Sequence, residues 1–169
     1  MNTRSVHAEI LNTDEVVYRP AIAADRESIF RLRNDPDAIQ MSLTRDEVSW
    51  DAHCKWFDSK MRAGDSARLV VAEETTGGVI GVTRFDFVDD GEDQWLVSIA
   101  VDRNFRGKGV GYSLLSFGIE SLEREFGVVT FLADVKMNNR ASVALFLRLN
   151  FTACLGEGPC TSRLMYSST

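Results

Sequence analysis

The chain has 169 residues, 44% of them hydrophobic and 26% charged, which suits one globular domain around a single core and would crowd two full ones. Its 19 Lys and Arg against 25 Asp and Glu give a formal charge of -6, which argues against a nucleic-acid binder, because such proteins use basic surface to release counterions from phosphates. No apolar run approaches the roughly 18 to 20 residues that span a bilayer, and the polar stretch Met1 to Asp14 lacks the apolar centre of a secretory signal, so a cytoplasmic protein is expected.

Residues 1–14 read as a loose arm ahead of one domain over 15–169, which opens with a strand at Val16 to Ala21. Ala24 to Leu32 reads as a helix that stops near Asn34-Asp35-Pro36, since proline disfavours helix in the residue before it. Thr44 with Glu47 three residues on forms a capping-box pattern. Trp50, His53, Trp56, Phe57 and Met61 then follow at helical spacing, predicting a helix to about Arg62. Leu69 to Val71, the turn Thr75 to Gly78, and Val79 to Val82 read as strand, turn and strand, with a further turn at Asp89 to Asp93.

The next strand, Trp95 to Val101, puts Trp95, Val97, Ile99 and Val101 on one face and Leu96, Ser98 and Ala100 on the other. A helix from Val110 to about Phe126, a strand from Val128 to Val135, and a helix from Ala141 to Leu149 follow. The βαβ order implies locally parallel strands. Phe151 to Leu155 and Arg163 to Ser167 are two last strands around the turn Gly156 to Pro159. Cys54, Cys154 and Cys160 are odd in number and lack metal-ligand spacing, so reduced thiols and no metal are expected.

The segment from Val101 to Tyr112 joins strand to helix and contains Arg-Xaa-Xaa-Gly-Xaa-Gly at Arg106, Gly109 and Gly111. Glycines let backbone amides approach a ligand closely, and free amides at a helix N-terminus suit a diphosphate. Arg106, Gly107, Lys108, Gly109, Val110, Gly111 and Tyr112 are therefore candidate anion-binding residues, the two cations standing out in an acidic protein. The dinucleotide fingerprint is disfavoured because these glycines follow a run of hairpin strands, and no Gly-Lys-Ser or Gly-Lys-Thr marks a nucleoside triphosphate loop.

Val-Xaa5-Gly-Lys-Gly-Xaa-Gly at 101 to 111, followed by Asn139-Xaa-Xaa-Ser142-Val143-Xaa-Leu145-Phe146, resembles the two cofactor motifs of the GNAT acyltransferase superfamily. The resemblance extends over about residues 16–167. It implies an α/β (α+β) fold with a mixed, mainly antiparallel sheet, splayed between the fourth and fifth strands and flanked by about four helices. Acetyl-CoA would be the cosubstrate, its pantetheine arm lying along Ile99, Ala100 and Val101 like an added strand, with Asn139, Ser142 and Phe146 also near it. A narrower likeness rests on Leu32-Arg33-Asn34, His53-Xaa-Xaa-Trp56-Phe57 and Val79-Ile80-Gly81 ahead of Thr83-Arg84. These resemble enzymes that acetylate the 4-amino group of a UDP-linked sugar in pseudaminic acid biosynthesis, which makes Arg33, His53, Thr83 and Arg84 candidates for a nucleotide-sugar pocket.

Each candidate has a plainer reading. His53 on an amphipathic helix can be a packed, hydrogen-bonded residue, and Arg33 can pair with Asp35 or Asp37. Thr83 and Arg84 can be one inward and one solvated strand residue, and Asp134 a solvated strand-end carboxylate.

The implied reaction is direct attack of a neutral primary amine on the thioester, with His53, Asp134 or a water chain removing the amine's proton. The family commonly has a tyrosine where this chain has Phe146, and a glycine where it has Asn150. Either the thiolate departs without a tyrosine, a thiol like that of cysteine having a pKa of about 8.5, or the enzyme is slow or inactive, and the first is expected. Other acceptors consistent with the sequence are a protein N-terminus, a polyamine or an aminoglycoside. A non-catalytic acyl-CoA-binding module is the reading from another class, and a monomer or homodimer fits either.

Overall fold

The computed structural model describes residues 15–44, 46–88, 94–154 and 161–167. The expected arm over 1–14, the turns at Asp89 to Asp93 and Gly156 to Pro159, and Cys160 lie outside the described residues.

The elements run β1 (Val16–Pro20), α1 (Arg26–Arg33), α2 (Pro36–Met41), α3 (Trp50–Arg62), β2 (Ala67–Glu74), β3 (Val79–Val88), β4 (Gln94–Val101), α4 (Val110–Phe126), β5 (Thr130–Lys136), α5 (Arg140–Arg148), β6 (Thr152–Cys154) and β7 (Thr161–Ser167). Among the described residues one seven-stranded sheet has the order β1-β2-β3-β4-β5-β7-β6. Every neighbouring pair is antiparallel except β4 with β5, which is parallel, as a strand, crossover helix and strand require.

Strand alternation sends side chains to two helical layers. On one face Leu69 and Val71 pack with Ile29 of α1 and Phe57 of α3. On the other, Val70, Ala72 and Ile80 meet Val110 and Leu114 of α4. The largest cluster lies on that second face towards β5 and β7, where Phe85, Trp95, Phe131, Phe146, Phe151 and Leu164 close around Leu115, Ile119 and Leu122. Helix α4 approaches the sheet at Gly118, where a Cβ would fall 2.4 Å from the Phe85 ring.

Two elements depart from the expectation at 34–50. Pro36 does not merely end α1. Asp35 caps a separate short helix, its carboxylate accepting the amides of Asp37 (3.1 Å) and Ala38 (3.2 Å), with Pro36 in the first turn. Nor does Thr44 cap α3. Ser49 does so, accepting the Ala52 amide at 3.3 Å. Just ahead of Ser49 the Asn34 side chain holds Val48 outside the helix by pairing with its backbone, donating to its carbonyl at 2.7 Å and accepting its amide at 2.9 Å.

Candidate functional site

Pairing between β4 and β5 covers only Gln94 with Thr130, Trp95 with Phe131 and Leu96 with Leu132, although β4 continues to Val101 and β5 to Lys136. Ile99, Ala100 and Val101 thus lie where the two strands have parted. Each strand stays paired on its other side, β4 to β3 as far as Val101 and β5 to β7 as far as Lys136. Extending the register across the gap sets Ser98 opposite Asp134 and Ala100 opposite Lys136. Ser98 is exposed despite its place in a central strand, so the α1/α3 face of the opening reaches solvent there.

Beyond β4 comes the glycine turn. Asp102 caps a short 3-10 turn by accepting the Asn104 amide at 2.8 Å. Gly107 at φ +75° and Gly109 at φ +87° then take the left-handed backbone that disfavours side chains, and the space where a Cβ would stand is open at both. Gly109 is the N-cap of α4 and carries no capping side chain. The first α4 hydrogen bond to it comes from Ser113, so the amides of Val110, Gly111 and Tyr112 precede the helix's own pattern. Gly111 faces Leu145 of α5 and Val101 of β4, each 3.5 Å from a notional Cβ. Lys108 lies over the Phe105 ring at 5.6 Å, and Arg148 over the Tyr112 ring at 4.5 Å.

Arg106 is engaged within the protein. Its Nε donates to the Val101 carbonyl at 2.8 Å, and its terminal nitrogens reach Asp37 at 3.2 Å and Asp35 at 3.3 Å. The carboxylates weighed as partners for Arg33 therefore hold Arg106. Arg33 instead donates to Thr44 Oγ1 at 3.2 Å and the Asp46 carbonyl at 3.4 Å.

In the second motif Asn139 caps α5, accepting the Ser142 amide at 3.2 Å. Phe146 is 2% exposed and meets the Phe151 ring edge-on at 4.9 Å. Asn150, where the family carries glycine, adopts φ +63°, so its side chain occupies the same left-handed turn that glycine would permit.

The proposed acceptor residues are not gathered in one place. Thr83 is fully buried on the α4 face, beside Gly118, and its hydroxyl donates to the Ser98 carbonyl at 3.1 Å. Arg84 points to the α1/α3 face, where it lies 5.7 Å over the Trp56 ring and pairs with Asp86 at 2.7 Å, while Lys60 holds the other Asp86 oxygen at 2.6 Å. Asp134 lies on the β5 lip in a bidentate pair with Arg163, at 2.7 and 2.8 Å. His53 is 1% exposed, ringed by Phe30, Trp50, Trp56 and Phe57. Its Nε2 is 2.9 Å from the Arg26 carbonyl, and because a carbonyl only accepts, Nε2 carries the proton. Burial, aided by the nearby Arg26 charge, lowers its pKa below the ordinary 6.5 despite that bond, so the imidazole is neutral.

The sequence reading missed Lys136, Arg163 and the carboxylates of Asp35 and Asp37 as parts of this region. The Asp-Pro pair was a readable helix start. The ion pairs join residues 29 to 71 positions apart and left no local signal.

The profile of the Acetyltransferase (GNAT) family matches residues 27–151. The chain is 35% identical over 105 residues to YhbS of Escherichia coli K12, named an uncharacterized N-acetyltransferase, covering 59% of this chain and 62% of that protein. It thus spans less than two thirds of that relative's length. It is 40% identical over 60 residues to the ribosomal protein bS18 alanine N-acetyltransferase of Salmonella typhimurium LT2, over 36% of this chain and 40% of that protein. The crystal structure of a ribosomal-protein-alanine N-acetyltransferase from Brucella melitensis superposes with a TM-score of 0.72 at 25% identity, covering 90% of this chain and 98% of that one.

Proposed function

The chain belongs to the GNAT acetyltransferase family, and on that premise we propose that it moves the acetyl group of acetyl-CoA to a primary amine. The observation that carries this reading is the adjacency of two features. Strand pairing between β4 and β5 ends at Leu96 and Leu132, and the left-handed Gly107–Gly109 turn with the first amides of α4 stands at the end of the same β4. The open space before both glycines fits a group that approaches backbone closely.

In this reading the parted stretch Ile99, Ala100 and Val101 takes the pantetheine arm as an added strand. The amides of Val110, Gly111 and Tyr112, with the Lys108 charge, hold the diphosphate. Acetyl-CoA supplies a thioester, an acyl group already attached to a tolerable leaving group. The protein's share is positioning, which can remove roughly 7 to 11 kcal/mol of barrier where alignment is ideal. The amine enters over Ser98 on the α1/α3 face. Asp134, oriented by Arg163 on the opposite lip, accepts its proton directly or through water. His53, enclosed and already donating to Arg26, supports the α1–α3 packing in this account.

For the acceptor, the UDP-linked amino sugar is supported by Arg84 alone among its four residues. Thr83 and His53 are enclosed, and Arg33 is turned to Thr44 and Asp46. A protein N-terminal amine is supported by the names of two relatives, and it is the acceptor we favour. The test is thiol release from acetyl-CoA with an alanine-initiated peptide, a UDP-4-amino sugar, spermidine and an aminoglycoside, beside calorimetric titration with CoA. Release with the peptide supports the favoured acceptor, and release only with the sugar nucleotide restores the narrower likeness. CoA binding without turnover points to a binding module. Absence of CoA binding refutes the proposal.

A further inference from the structure

Helix α2 is six residues long and fully buries none of its side chains, Ala38 and Ile39 being half-buried, so core packing holds it only weakly. Its two ends are tied instead to the two strands that part. At the N-terminal end Arg106 binds the carbonyl of Val101, the last residue of β4, through Nε, and reaches Asp35 and Asp37 through its terminal nitrogens. Asp35 Oδ1 meanwhile caps α2 by accepting the Asp37 and Ala38 amides. At the C-terminal end Lys136, the last residue of β5, donates from Nζ to the Gln40 carbonyl at 2.9 Å. Two cations therefore fasten one short helix between the ends of β4 and β5.

We propose that Arg106 and Lys136 are positioning residues that strap α2 across the mouth of the β4–β5 opening, and that Arg106 links this strap to the cofactor turn and does not bind phosphate. This rests on reading the opening as the CoA cleft. The guanidinium has three anchors inside the protein, and it sits three residues before Gly109, whose amide neighbours face the diphosphate in that reading. Ordering of the turn by CoA is thereby transmitted to Asp35 and Asp37, and so to the helix bordering the acceptor's path.

The test is amide exchange at Ile39 and Ser42, whose hydrogen bonds to Asp35 and Ala38 close α2, measured with and without saturating CoA. Arg106→Gln should speed this exchange in the free protein by up to about fivefold, the upper end for exposed ion pairs, and Lys136→Met, which removes a charged donor from the Gln40 carbonyl, should speed it as well. Amides of β2 such as Val71 should not change. CoA should slow exchange at Ile39 and Ser42 in the parent, not in Arg106→Gln, and again in part in Arg106→Lys. By calorimetry, CoA affinity of Arg106→Gln should stay within about threefold of the parent, against the larger loss expected on removing a charge-assisted phosphate contact. A loss of tenfold or more, or equal CoA protection of α2 in Arg106→Gln and the parent, overturns the proposal. A parent that binds no CoA refutes the proposed function instead, while the exchange measurements on the free protein still judge the strap.

Discussion

Phe146→Tyr adds one hydroxyl at the position where the family commonly carries a phenol. The ring is 2% exposed, lies edge-on to Phe151 at 4.9 Å, and belongs to the cluster of Leu115, Phe131, Ala133 and Val135. A hydroxyl left among those apolar side chains without a partner costs about 1 to 3 kcal/mol of folding stability. One that emerges into the opening between β4 and β5 costs little and, in the proposed reaction, could reach the departing sulfur. A thiolate whose conjugate acid has a pKa of about 8.5 leaves tolerably near neutral pH, so turnover of the variant should remain close to the parent's. A general acid that is needed contributes roughly 10² to 10⁴, a range easily separated from no change. Urea unfolding gives the first quantity and thiol release from acetyl-CoA with the favoured peptide the second. Acceleration of 10² or more with unchanged stability would refute unassisted departure and show that the missing hydroxyl limits the rate.

Gly118→Ala would place a methyl 2.4 and 2.5 Å from two carbons of the fully buried Phe85 ring. Overpacking of about 1 to 3 kcal/mol or more should outweigh the roughly 1 kcal/mol gained in helix propensity, lowering the urea midpoint; a raised midpoint contradicts the packing of α4. Gly109→Ala meets no atom but a φ of +87°, and should weaken CoA about two- to fivefold by calorimetry as the helix-end amides shift. Asn150→Gly should be nearly neutral, whereas Asn150→Val should cost about 1 to 2 kcal/mol at the same φ of +63° in urea unfolding. Because the folded chain keeps His53 neutral below its ordinary pKa of 6.5, the unfolded chain takes up the proton first. Stability should therefore fall as pH drops from 6.5 towards the lowered folded value, by at most about 1.4 kcal/mol per pH unit. His53→Gln, which keeps a donor for the Arg26 carbonyl, should flatten that slope; an unaltered slope would place its source elsewhere.

The strand-rich centre and the glycine turn ahead of α4 were legible because their signals are local. Alternating apolar residues from Trp95 to Val101, glycines that must take positive φ, and a helix opening directly after them all act within a few residues. The capping error at Thr44 has the opposite cause. Its capping-box spacing was real, but the Asn34 side chain, ten residues earlier, binds both backbone groups of Val48, so the helix waits for Ser49. Likewise Thr83 and Arg84 are adjacent in sequence yet lie on opposite faces, and only the placement of α4 over Gly118 decides which of them is sealed from solvent. Arg106 stood out as a candidate phosphate cation because its partners, Asp35 and Asp37, lie 71 and 69 positions earlier in the chain and leave no local signal.

The opening between β4 and β5 does not need a ligand to create it. β4 pairs with β3 from Gln94 to Val101, and β5 pairs with β7 from Thr130 to Lys136, so each half of the sheet has a complete partner on its outer side. Phe131, Ala133 and Val135 of β5 are buried on the α4/α5 face as Trp95 and Val97 of β4 are, which packs both strands independently of their contact with each other. What the parted segments lack is only mutual strand pairing, and that is the interaction an extended arm can supply without moving either half. Binding to a preformed groove avoids the ordering cost that a closing loop would add. By contrast α2 fully buries no side chain, and its ends are held by the polar contacts of Arg106 and Lys136.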